Sequence, residues 1–224
     1  MKPKHRRPQC PPPPDRPEIL DSDHLSARTR DILTSRLSAP ETQPRTLSLQ
    51  AYAVLDALLP VLLPLDEILP PGTDINMTAR IDAALSGPRD GWRFADLPPD
   101  AEAWEAALLT LDDVAAEQHG IRFIHLAPEL RGTLLDAMMT GQLGLDRDGR
   151  LSIPQMARWA GDLRGEVVDC VMSDPRVQQA LGISSSLTGG DTVFQGFTEV
   201  GPDSREDFEP KATAPLAQMA DSRE

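Results

Sequence analysis

Cysteine is almost missing from this chain: 224 residues hold 2, Cys10 and Cys170, too few for a disulfide scaffold. Aromatic residues are scarce at 4% against 40% hydrophobic residues overall, which suits an aliphatic, helix-packed interior better than a β-sandwich. Positive charge is outweighed, with a formal net charge of −13. That balance excludes nucleic acid as the main partner, because phosphate binding needs a basic surface, and it disfavours an anionic membrane surface. Catalytic signatures are missing too: there is no G-x-S-x-G and no G-x-G-x-x-G on a strand–helix turn. The twin arginine Arg6-Arg7 is followed by PQCPPPPDRPE, where an export signal needs an apolar stretch. A chain starting at this Met1 is therefore expected not to be exported on its own signal.

What the chain does have is one long apolar run, Leu47 to Leu69, LSLQAYAVLDALLPVLLPLDEIL. At helical spacing, Leu49, Tyr52, Ala53, Leu55, Leu59, Leu62 and Leu63 leave little polar face, the pattern of a buried central helix or a membrane span. A span needs roughly 20 uninterrupted apolar residues. Asp56 interrupts this run, and Pro60 and Pro64 each remove a backbone donor that lipid could not replace. The run is expected to be the core helix of a helical domain, kinked or ended near Pro60, with no transmembrane segment.

The 22 prolines and 15 glycines gather at the ends and between candidate helices, where they act as punctuation. Three regions follow: a proline-rich, mostly disordered N-terminal extension over 1–45, a helical domain over 46–201, and a disordered tail over 202–224. Within the extension, Leu25, Ile32, Leu33 and Leu37 suggest a short helix packed on the domain or on a partner. Thr46 or Ser48 can cap the central helix. Asp74 is placed to cap a second helix with Ile75, Ala79, Ile81, Ala84 and Leu85 as its apolar side. A loop through Trp92 and Phe94 leads to Pro98-Pro99-Asp100, which opens a third helix striped by Trp104, Ala107, Leu108, Leu111, Val114 and Ala115 and stopped at Gly120. Pro128 starts a fourth helix with Leu130, Leu134, Leu135, Met138 and Met139. Ser152 and Pro154 start a fifth through Met156, Trp159, Leu163, Val167, Cys170 and Val171, and Asp174-Pro175 caps a last short turn. The fold class is all-α, a single domain of about five to six helices.

Candidate chemistry is thin. Asp146-Arg147-Asp148-Gly149 resembles part of a calcium loop, but aligning Gly149 on the loop glycine leaves Gly144 and Gln155 at two ligand positions, so an ordinary Asp/Gly turn is the reading. His5, His24, His119 and His125 show no metal-ligand spacing. Ser184 to Ser186 with Gly189-Gly190 lacks the Lys and the preceding strand of a phosphate loop. Glu102, Glu105, Asp112, Asp113 and Glu117 fit the solvated side of a helix. Cys170 fits a small buried hydrophobe. No catalytic set, no cofactor-binding residue and no metal ligand is assigned to this chain.

Several stretches taken in order resemble the gluconate 2-dehydrogenase subunit 3 family. Leu55 to Pro60 is similar to that family's early helix ending in a Leu/Ile-Pro. Ile81 to Leu85 and the helix from Trp104 to Gly120 follow, and Phe123 with Leu126-Ala127-Pro128-Glu129 then leads into Leu134-Leu135. The sharpest match is Met172-Ser173-Asp174-Pro175-Arg176, with the later segment Phe194-Gln195-Gly196-Phe197. The resemblance covers about Leu47 to Pro202.

The resemblance implies a non-catalytic accessory subunit of a flavin-dependent, glucose–methanol–choline type dehydrogenase. FAD and the catalytic base would belong to a separate large subunit, with a cytochrome c subunit as a further partner. The small chain would support folding, stability or export of the large one, from the cytoplasm or, by co-export with its partner, in the periplasm. Asp174, Pro175, Arg176, Phe194 and Phe197 are the expected interface residues, since aromatics and Arg are enriched in interface cores. The competing expectation is a free-standing helical adaptor that docks through its proline-rich N-terminus.

Overall fold

The computed structural model describes residues 18–21, 25–38, 43–70, 72–87, 96–181 and 183. Among them are seven α-helices and no strand. They are α1 (Ala27–Leu37), α2 (Leu49–Leu62), α3 (Met77–Leu85), α4 (Asp100–His119), α5 (Pro128–Met139), α6 (Ile153–Met172) and α7 (Pro175–Ala180). Six of these, α2 to α7, build the expected all-α domain, and α1 forms in the N-terminal extension where the leucine spacing suggested a helix.

The helix ends follow local chemistry. Ser48, not Thr46, caps α2 by accepting the Ala51 N–H at 3.1 Å. Gly120 closes α4 in the left-handed region at φ 73, a conformation that costs a residue with a Cβ. Pro128 occupies the first turn of α5, and Ser152 with Gln155 forms a capping box at the start of α6. The expected Asp74 cap is displaced. Asn76, at φ 53, occupies the cap position of α3, and Asp74 instead accepts the Asn76 N–H at 2.6 Å in a tight turn.

The apolar run is shorter as a helix than its composition suggests. By length and composition Leu49–Glu67 qualifies as a candidate span, yet the continuous α-helix stops at Leu62 after 14 residues. At about 1.5 Å per residue that is roughly 21 Å, short of a bilayer core. As expected the helix ends near Pro60: two more residues follow before the chain turns at Leu63. The expected all-round burial is also corrected: Leu49 is 79% exposed, and the face that enters the core is Ala51, Val54, Leu55, Leu58 and Leu59.

Helix α2 packs against α3, α4, α5 and the 3-10 turn Phe123–His125. Helix α6 packs on the same three helices, so α3, α4 and α5 lie between two core helices and share their apolar residues with both. The stripes expected on α4 and α6 are buried throughout. Trp104 of α4 meets Trp159 of α6 edge to face, with centroids 5.2 Å apart and planes at 81°, a geometry worth about 0.5–1.5 kcal/mol beyond area burial. On α3 the expected apolar residue Ala84 is exposed while Asp82 is buried, because the carboxylate is needed inside.

Candidate functional site

The segment singled out in the sequence, Ser173 to Arg176, forms the junction between α6 and α7. Its centre is Asp174, which is fully buried. One carboxylate oxygen accepts the backbone N–H of Arg176 at 2.9 Å and its Nε at 3.0 Å; the other accepts Arg176 Nη2 at 2.8 Å and Arg80 Nη2 at 3.2 Å. Asp174 thus caps α7 and pairs with two guanidinium groups, one from its own turn and one from α3. The hydrogen bonds that Arg176 donates to Asp174 hold its guanidinium above its ordinary pKa, against the opposing effect of burial. Arg176 also reaches the backbone oxygen of Asp74 at 3.3 Å, tying α7 to the entry of α3. Pro175 and Val177 are buried beside this cluster.

A buried carboxylate is tolerated only when charged or backbone donors replace its water. Asp174 meets that condition, and so do Asp82 and Asp112, the other buried acids among the described residues. Asp82 accepts the backbone N–H groups of Arg45, Thr46 and Leu47 at 2.6, 3.2 and 2.8 Å. Asp112 accepts Arg122 Nη1 at 2.6 Å, Gln50 Nε2 at 2.8 Å and the Phe123 N–H at 2.9 Å. All three acids join segments far apart in the chain.

On the outer side of α4, Asp113 is shared by Arg147 at 2.8 Å and Arg150 at 2.6 Å, and Arg147 also pairs with Glu117 at 2.9 Å. The Asp146–Gly149 turn therefore serves as a brace against α4, with its Arg as the contact. Among the described residues no group of three or more His, Cys, Asp or Glu could hold a metal ion. His119 and His125 are both exposed. Cys170 is 7% exposed, and burial pushes its thiol up to about 11, with Arg80 acting in the other direction.

The family model of gluconate 2-dehydrogenase subunit 3 matches residues 50–185, more than half of the 224-residue chain. The chain belongs to the gluconate 2-dehydrogenase subunit 3 family. The match spans α2 to α7 and includes the Asp174 cluster, so the buried acid network lies largely inside the family region. No curated protein and no solved structure matches the chain.

Of the interface residues expected from the subunit 3 resemblance, Asp174, Pro175 and Arg176 are brought together at the α6–α7 junction. Phe194 and Phe197 lie outside the described residues, as do Trp92 and Phe94. Near the junction, Val168, Met172, Leu181 and Ile183 are 59%, 36%, 47% and 41% exposed. Sequence reasoning missed Arg80, which no motif marks. It placed Asp112 on the solvated side of its helix, where the structure buries it, and it missed Asp82 as a buried group, although an acid among Ile81, Ala83, Ala84 and Leu85 carried the signal.

Proposed function

We propose that this chain is a non-catalytic accessory subunit that binds an FAD-dependent sugar or alcohol dehydrogenase large subunit and supports its folding, stability or export. The family match over residues 50–185 carries this reading. The disposition of the polar side chains supports it: the buried acids Asp82, Asp112 and Asp174 are each engaged by backbone N–H groups, amides or guanidinium groups of this same chain. Such groups hold the helices in place and leave the work of the subunit to its surface. In this reading FAD belongs to the large subunit, electrons leave towards a cytochrome c or another acceptor, and contact with the large subunit is made around Asp174 to Arg176 together with Phe194 and Phe197.

Because Asp174 and Pro175 are buried, they shape that surface from beneath. Arg176 and the exposed side chains of Met172, Leu181 and Ile183 are the groups at the junction able to meet a partner. Co-expression with the large-subunit candidate encoded beside this chain tests the proposal. A yellow complex that co-elutes on size exclusion is the expected result, and it survives deletion of Met1 to Arg45. Separate elution, with the large subunit soluble and flavin-loaded by itself, overturns the proposal. Loss of the complex on deleting Met1 to Arg45 favours the adaptor that docks through its proline-rich end.

A further inference from the structure

Among the described residues the buried apolar side chains form two separate clusters. The main core joins α2 to α7, while Leu20, Leu25 and Leu33, with Leu37 partly covered, make a small second cluster. Helix α1 has 11 residues and buries a single one, Leu33, in that second cluster. It is held internally by its Ser26 cap and by Arg30, whose Nε donates to the backbone oxygen of Leu20 at 2.8 Å. Its main packing partners are α7 and the 3-10 turn Glu18–Asp21.

Polar contacts to the domain converge on the C-terminal end of α1. Arg80 Nη2 donates both to the backbone oxygen of Arg36 and to Asp174, and Arg36 Nη1 reaches the backbone oxygen of Ser173 at 3.5 Å. The last carbonyls of a helix have no partner within it and carry partial negative charge, so a guanidinium there is a favourable cap. Arg80 caps α1 from outside and at the same time pairs with the acid at the centre of the α6–α7 junction.

We propose that α1 is a detachable arm, helical only while docked on α7, whose release adds the α7 face beneath it and the Arg80 side of the junction to the surface a partner can meet. Helices shorter than about 12–15 residues are marginal in water without tertiary packing. With one buried leucine outside the main core, α1 is weakly held once Arg80 lets go. The α2–α7 core keeps its own apolar cluster when this happens. The arm stands on these contacts alone; only the identity of what displaces it rests on the accessory-subunit reading.

Hydrogen exchange of the full chain followed by mass spectrometry tests the arm. Amides of α1 are expected to exchange at least about 100-fold faster than those of α4 and α6, the behaviour of a unit that opens by itself. Leu33→Ala should speed α1 by roughly a further tenfold while leaving α4 and α6 unchanged. Arg80→Met should do the same; Leu33→Ala keeps the test intact if loss of Arg80 disturbs the fold. Exchange of α1 at the rate of α4 and α6, or an equal acceleration of all three in Leu33→Ala, overturns the arm. In a complex with the large subunit, faster α1 exchange with slower exchange at 172–181 supports release, and slower exchange in both refutes it. If no complex forms, the accessory-subunit reading fails while the exchange pattern of the free chain still decides the arm.

Discussion

A Cβ placed on Gly144 would lie 2.3 Å from the backbone nitrogen of Ile153 and 2.5 Å from the carbonyl carbon of Ser152. The neighbours are backbone atoms at the capped start of α6, and the adjacent Leu145 N–H donates to Leu151 O at 2.8 Å, so neither segment of this crossing can yield cheaply. Gly144→Ala is expected to destabilise the fold by about 1–3 kcal/mol or more. Gly161, on the exposed side of α6, meets nothing within 4 Å, and Gly161→Ala should stabilise by roughly 0.5–1 kcal/mol. Thermal denaturation of the pair checks this; midpoints moving in the same direction would contradict it.

Asp82 joins the start of the domain to α3 through three backbone N–H groups. An amide in its place has one acceptor oxygen and turns an N–H₂ towards donors. Asp82→Asn should cost about 1.5–3 kcal/mol, the range for charge-assisted bonds to a buried group. A urea midpoint within error of the wild type would show that the Arg45–Leu47 segment contributes nothing to stability.

The α4 brace should show itself in acid. Burial raises the Asp113 pKa, but hydrogen bonds from Arg150 and Arg147 outweigh it and hold the carboxyl below its ordinary value. With the folded value depressed, the contribution of Asp113 is full above its unfolded pKa of about 3.9 and is lost as pH falls through the folded value. Stability measured by urea from pH 7 to pH 2 should therefore fall on the acid side, and Asp113→Asn should make that fall shallower. An unchanged acid limb in Asp113→Asn would exclude the linkage.

Cys170 should behave as an inert thiol. With its pKa near 11 and its side chain buried, little thiolate exists at pH 8. In a Cys10→Ser background, iodoacetamide at pH 8 is expected to label Cys170 only after denaturation. Labelling of the folded protein at the rate of a free thiol would contradict the buried environment.

Most of the helices were legible from the chain, since each carries a local signal. Trp104 to Ala115 recur at helical spacing, Ser152 and Gln155 stand three residues apart, and Gly120 and Pro128 mark an end and a start. Where local signals compete, the sequence was a poorer guide. Asp74 suits a cap by type, but it accepts the Asn76 N–H in a turn of its own, and Asn76 takes the cap position. Leu49 suits a core helix by type, but its position in the first turn of α2 points it to solvent.

The sequence by itself determined the all-α class, the order of the helices and the family, because apolar period, capping residues and motif order are properties of neighbouring residues. Only the tertiary structure decided which acids are buried and what they bind. Asp174 reads as the cap of a short turn, and only α3 shows that it is also a buried partner of Arg80, 3.2 Å away and 94 positions distant in the chain. The same cation holds the end of α1, a contact no local pattern encodes. Pairing over such distances is set by how whole helices pack, and the chain order of charges does not reveal it.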